Sequence, residues 1–172
     1  GRDDGKEAGE MMAIYYKKER FKRTDGGHFW LSETPDKVGS KSWDSSLPRM
    51  VTWAKLTDLK NASGPPIALF NTHFDHRGTT ARLESAKLIR RRIAEIGKGC
   101  AIVVTGDFNT AEKSEPYQAL FCTADAKESP VVDTFRAKHP DATEDEGTFS
   151  SFKGDTTKGA RIDWIGVSRD WQ

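Results

Sequence analysis

Apolar and polar positions alternate with a changing period along this chain, and each change of period marks an element. Residues 11–21 and 26–35 are runs of β-branched and aromatic side chains parted by the charged residues 22–27. Asp25 and Gly26 supply the dipeptide of a tight turn there, so a β-hairpin is predicted. Residues 38–49, rich in Gly, Ser and Pro, read as a loop. Residues 50–59 set Val51, Trp53 and Leu56 against Thr52 and Lys55, the pattern of a half-buried strand. A turn over 60–66 precedes a buried strand at 67–75 whose far end becomes polar.

The period then lengthens. Across residues 79–99, Leu83, Ala86, Ile89, Ile93 and Ile96 recur at helical spacing while Arg82, Lys87, Arg90 and Arg91 fall off that stripe, and Gly97 or Gly99 stops the helix. Its apolar face is expected on a sheet, and its arginines read as a solvated face rather than a nucleic-acid patch. The apolar run 100–105 follows as a strand parallel to 67–75, completing a β-α-β unit. Beyond it, 112–121 read as a short helix and 129–147 as a largely irregular crossing. Residues 147–155 and 160–168 are expected as a final pair of strands around the loop 153–160. Glu144, Asp145 and Glu146 lack the ordered ligand spacing of a calcium loop and read as a solvated acidic turn.

Composition narrows the classes. A chain of 172 residues suits one domain, 1–172, or part of one, and a monomer is expected. With 27 basic and 26 acidic residues the net charge is +1, so no bulk field draws it to nucleic acid or an anionic membrane, and an anionic partner must be held by a local site. No apolar run approaches the roughly 20 residues of a membrane-spanning helix. Cys100 and Cys122 have neither the number nor the spacing of a zinc site or a disulfide framework. The chain starts at Gly1 without a signal pattern, so cytoplasmic and exported locations both stay open.

Chemistry collects at two strand ends, residues 71–78 and 106–109. Parallel strands joined by one crossover bring their C-terminal ends to the same sheet edge, where ligands bind in open sheets. In an extended chain i and i+2 share a face, which would align Asp107 with Asn109 and His73 with Asp75, leaving Phe108 and Phe74 as anchors behind them. The tetrapeptide Gly106–Asn109 alone is equally turn chemistry, and His73 alone equally a hydrogen-bonded structural histidine.

Five segments taken together carry more: GEMMAIYY at 9–16, NTHFDHRG at 71–78, VVTGDFN at 103–109, GTFSSF at 147–152 and RIDWI at 161–165. In this order and separation they resemble the endonuclease/exonuclease/phosphatase superfamily, including a bacterial branch described as metal-dependent hydrolases. The resemblance implies an α/β fold, a four-layered sandwich of two packed mixed β-sheets flanked by helices. It implies Mg²⁺, with Mn²⁺ as the alternative, and a phosphate-ester substrate, nucleic acid among the candidates. Asp107 matches the aspartate that orients the attacking water near the metal, and Asn109 the amide that contacts phosphate, both also standing as metal-site residues. His73 matches the histidine that donates to a phosphate oxygen, and Glu10 the acid that holds it, a pairing expected to raise the imidazole pKa. Asp163 matches the aspartate that orients a second catalytic histidine. Arg49, His76 and Arg77, with Trp43, are candidates to contact substrate.

The pattern departs from the family at two points. No histidine follows Asp163 in a Ser-Asp-His motif, and nothing precedes Gly1 to supply the family's early asparagine and metal-binding glutamate, so a partial domain, inactive alone, is expected. A non-catalytic module that keeps the fold is the rival reading, and a calcium-binding surface domain a third.

Overall fold

The structure is a computed structural model that describes residues 1–122, 129–143, 145–154 and 158–169. Glu144, one of the three acidic-turn residues, lies outside the described residues. Among those described, six strands form one mixed sheet in the order β1-β2-β3-β4-β6-β5. These are β1 (Phe21–Trp30), β2 (Met50–Asp58), β3 (Ile67–His73), β4 (Ala101–Asp107), β5 (Val131–Asp133) and β6 (Asp163–Ser168). The helices are α1 (Thr79–Ile96), α2 (Glu115–Phe121) and α3 (Thr134–Lys138). The α/β class is as expected.

The β3-α1-β4 unit places its two strands parallel, and every other pairing is antiparallel. Helix α1 buries Ala81, Ser85, Ala86, Leu88, Ile89 and Ile93. The buried stripe is therefore turned toward Ala81 and Ser85 and away from Leu83, because small side chains let the helix sit close to the sheet. Gly97 ends it, donating its N–H to the Ile93 carbonyl. Helix α2 packs beside α1 on the same face, its N-cap Ser114 accepting from Tyr117 N. Between helices and sheet lie Phe70, Phe74, Ile89, Ile93, Val104, Phe108, Leu120 and Trp164, all at most 1% exposed. Each such side chain contributes about 1.5–3 kcal/mol of transfer free energy.

Three expectations are corrected. Residues 22–27 are not a hairpin turn: β1 runs straight through them with an irregularity between Arg23 and Asp25, pairing along all of β2. Gly27 leaves the space that the Trp53 ring of β2 fills, so the continuous ladder wins over the turn. Residues 11–20 carry no strand and cross the face opposite the helices, where Met12 meets Trp30 and Met50 and the Ala13 carbonyl accepts from Asn71 Nδ2. The crossing at 129–147 is not irregular throughout, since it forms β5 and α3. The partner expected for β6 is also different: Ser151 and Phe152 sit at φ 53° and 62°, outside the extended region, and β6 pairs with β4 and β5.

The acidic turn is not simply solvated either, because Glu146 is held by Arg136 at 2.5 Å. The helix arginines are divided: Arg91 is exposed, while Arg90 donates to the Ala119 and Cys122 carbonyls and Arg92 pairs with Asp36. Both cysteines are free thiols. Among the described residues no helix is long and apolar enough to cross a membrane.

Candidate active site

Register puts the site together. His73 is the Cα partner of Asp107 across the parallel β3–β4 ladder, and Asp107 is the partner of Asp163 across the antiparallel β4–β6 ladder. Adjacent strands lie about 4.8 Å apart, so three chemistry-bearing residues stand in a row along one sheet edge. Their shared parity points them to the face opposite α1 and α2.

Asp107 ends β4, and the chain turns at once. Asp107 Oδ1 accepts from Asn109 N at 2.8 Å, and Asn109 takes φ 48°, a left-handed conformation asparagine tolerates. Asp107 and Asn109 are thus gathered by a side-chain turn rather than by strand alternation, so the turn reading of this segment holds and the two side chains still meet at one strand end. Phe108 is the anchor: fully buried, it stacks on Trp164 with centroids 4.4 Å apart. Asn109 Nδ2 donates to the Phe74 carbonyl and to His73 Nε2, each at 3.0 Å, bridging the two strand ends.

His73 is fixed from both sides. Its Nδ1 lies 3.1 Å from Glu10 Oε2, and its Nε2 3.5 Å from Asp107 Oδ2. The assignment that satisfies these contacts is a neutral ring donating from Nδ1 to Glu10 and accepting at Nε2 from Asn109. The Glu10 carboxylate does not raise the imidazole pKa as expected. Burial and the nearby Arg49 cation pull it down and outweigh Asp107 and Glu10. Asp107 moves the other way: burial raises its pKa, and the charge of Asp163 adds to that, against the Asn109 amide, His73 and Arg49.

Arg49 lies beneath the site. Its side chain is 4% exposed, with Nη1 3.4 Å from Glu10, Nη2 donating to His76 Nδ1 at 3.1 Å, and Nε 3.7 Å from Asp75. Arg2 also grips Glu10. His76 and Arg77 are exposed at the mouth of the site, and Trp43 is half-buried in the preceding loop.

Asp75 does not share a face with His73. It is 2% exposed and accepts five hydrogen bonds, from Ser46 N and Oγ, Leu47 N, Arg77 N and Gly78 N. Burial pushes its pKa up, but these donors more than reverse the effect and hold it well below the usual carboxylate range. Asp44 reinforces the clamp by accepting from Thr80 N and Ala81 N at the start of α1. Its carbonyl comes so close to Gly78 that any Cβ there would stand 2.7 Å away. The roles of Asp75, Asp44 and Arg2 were missed in the sequence. An aspartate three residues before Gly78 at a helix start was a usable signal for the first; Asp44 acts across 36 and 37 residues, and no local pattern marks Arg2 as the partner of Glu10.

A divalent cation of the kind the resemblance implies needs hard oxygen donors, one or two carboxylates being enough for hydrated Mg²⁺. Asp107 and Asp163 fit that need. The Asn109 amide nitrogen is committed to two acceptors, which leaves its carbonyl oxygen for a ligand. Among the described residues no group of three His, Cys, Asp or Glu side chains is gathered as a complete metal site.

No protein-family model matches the sequence. A solved mannosyl-6-phosphatase from Bacteroides thetaiotaomicron is 36% identical, with a TM-score of 0.83 over 99% of this chain and 61% of its own. An endonuclease/exonuclease/phosphatase from Bacteroides vulgatus is 38% identical, with a TM-score of 0.81 over 98% of this chain and 62% of its own. An uncharacterized protein of Acanthamoeba polyphaga mimivirus is 28% identical over 137 residues, 68% of this chain and 20% of that protein. The chain thus spans about three fifths of the length of these two solved structures. Over nearly the whole of this chain, the sequence and the fold are similar to those of solved endonuclease/exonuclease/phosphatase family proteins.

Proposed function

We propose that this chain carries part of the active site of a metal-dependent phosphoric ester hydrolase whose substrate is a sugar phosphomonoester. The observation that carries the reading is the row His73, Asp107, Asp163, bridged by Asn109. The likeness to a protein named a mannosyl-6-phosphatase favours a sugar phosphate, and a net charge of +1 disfavours a long polyanion such as nucleic acid.

Mg²⁺ or Mn²⁺, when bound, supplies charge neutralisation at the phosphate oxygens and a more acidic water; Asp107 and Asp163 are the carboxylates to hold it, with the Asn109 carbonyl beside them. Asp107 orients the attacking water and takes up its proton. The water oxygen bonds to phosphorus, the phosphorus–oxygen ester bond breaks, and the proton finally rests on the released alcohol. His73, held by Glu10, becomes a donor once Nε2 is protonated and then stabilises a phosphate oxygen as charge builds on it. Once protonated, His73 Nε2 no longer accepts from Asn109 Nδ2, and that freed N–H donates to the same phosphate. His76 and Arg77 contact it from the mouth, while Arg49 acts through Glu10 and His76.

Phosphate release from mannose 6-phosphate, measured with the full-length protein in Mg²⁺, Mn²⁺, Ca²⁺ or chelator, tests the reading. Wild type should turn over only with metal, and Asp107→Ala should lose about three orders of magnitude in kcat/KM. Metal-dependent turnover that survives Asp107→Ala would remove Asp107 from this role. The rival binding module, favoured by the absence of a three-donor cluster among the described residues, predicts phosphate-ester binding without turnover.

A further inference from the structure

Asp163 borders a second hollow. On the side of β6 away from Asp107, a cavity of about 580 Å³ opens between α3 and the segment at residues 145–148, lined by Phe135, Lys138, His139, Thr148, Arg161 and Asp163 among others. A volume in this range holds a small organic ligand. Its lining is unlike an anion site or a greasy slot, because it sets the carboxylates of Asp145, Glu146 and Asp163 and two threonine hydroxyls beside Lys138, Arg161 and the Phe135 ring.

Two parts of the lining are held in place. The Arg161 side chain is 6% exposed, and its Nε is buried with no hydrogen-bond partner, although both terminal nitrogens are engaged by Asp133 and Glu112. The guanidinium is thereby fixed in the cavity wall. Phe135, 36% exposed, is braced by His139 at 4.7 Å between centroids and by the Arg161 guanidinium 5.1 Å from its own. A ring so held presents a fixed apolar surface at the cavity. Thr148 Oγ1 accepts from Ile162 N and Asp163 N, tying the cavity wall directly to the active-site row.

We propose that this cavity seats the polyhydroxylated alcohol portion of the substrate, a sugar ring or a disaccharide-sized unit, while its phosphate lies over Asp107. A sugar matches the lining group by group. Its hydroxyls accept from Lys138 and donate to Asp163, and its C–H face covers Phe135. The inference rests on the phosphoesterase reading for its second half, because the cavity becomes a leaving-group site only if phosphate is cleaved next to it.

The test compares two esters and one free sugar on the full-length protein. Phe135→Ala should lower the ratio of kcat/KM for mannose 6-phosphate to that for methyl phosphate about tenfold, chiefly through KM, while Phe135→Trp, which keeps a ring, should retain it. A thermal melt by circular dichroism checks that each variant is folded, and Lys138→Met provides a second, exposed position if Phe135→Ala is not. An unchanged ratio in the folded variants overturns the proposal. Absence of turnover on both esters sinks the hydrolase reading alone. Saturation-transfer NMR with methyl α-mannopyranoside then decides the cavity: transfer that is lost in Phe135→Ala supports a sugar site, and no transfer in wild type overturns it.

Discussion

Two ionic clusters lie at opposite ends of this sheet's functional edge, and they are tuned in opposite senses. In the corner formed by β5, α3 and the start of α2, Arg136 holds Glu112 and Glu146, and Arg161 holds Asp133 and Glu112. There Arg136 and Arg161 are raised and Glu112 and Glu146 lowered, so every shift favours the charged form. At the strand ends Arg49 and His73 are lowered and Asp107 is raised, chiefly by burial, so each shift disfavours the charged form. The corner has satisfied its charges internally. The strand ends have desolvated theirs without full compensation, the condition expected where an outside charge is to be bound.

The comparison breaks most visibly at Asp133. This residue, 5% exposed, pairs with Arg161, accepts from the Tyr117 hydroxyl at 3.0 Å and caps α3 through Phe135 N and Arg136 N. Burial and the Asp133 charge hold the Tyr117 phenol well above its ordinary pKa, so it stays a donor. Asp133→Ala strands a buried guanidinium and removes the cap, and should cost about 3–5 kcal/mol, lowering the melting temperature by about 10 °C. A variant that melts with wild type would show that the corner carries no stabilising role.

Asp75 is the exception within the strand-end cluster, and it sharpens the contrast. Its folded pKa is depressed, so its contribution is fully present above the ordinary aspartate range and is lost as pH falls below that range toward the folded value. Asp75→Asn turns an amide nitrogen toward backbone donors and should cost about 2 kcal/mol at neutral pH. Denaturant midpoints followed from pH 6 to pH 3 should converge for wild type and variant on acidification. Parallel curves would show that Asp75 titrates alike in the folded and unfolded chain, which removes its depressed pKa.

This division explains what was legible in the sequence. The β-α-β unit was readable because its signals are local: an apolar run, a helical stripe, a glycine stop and a second apolar run. His73 and Asp107 meet once those strands are parallel, since register then places their polar ends together, whereas Asp163 joins them through an antiparallel β4–β6 pairing that no local pattern marks. The corner was not readable, because Arg136 and Arg161 meet Glu112 and Asp133 from 24 and 28 residues away and no local pattern marks such pairs. The hairpin expected at Asp25 and Gly26 failed for a related reason: nine cross-strand partners on β2 outweigh a two-residue turn preference. Its failure also concealed how Glu10 reaches His73, by a chain that crosses the sheet face without joining it.

The smallest expected effect on stability is at Arg49, and it separates the two clusters most cleanly. An arginine 4% exposed and bound to three neighbours looks as structural as Arg161. Its pKa is nevertheless pushed down by burial and by Arg2, against the attraction of Asp75, Glu10 and Asp107, whereas that of Arg161 is raised. Removing it leaves Asp75 with five donors and Glu10 still paired to Arg2. Replacing a poorly compensated buried charge by an apolar group of similar volume is often close to neutral, so Arg49→Met should change unfolding stability by no more than about 1 kcal/mol. Turnover should nevertheless fall about tenfold, because Glu10 and His76 lose the fork that aligns them. A loss of stability as large as that of Asp133→Ala, with turnover per folded molecule unchanged, would make the two clusters equivalent and remove the distinction between them.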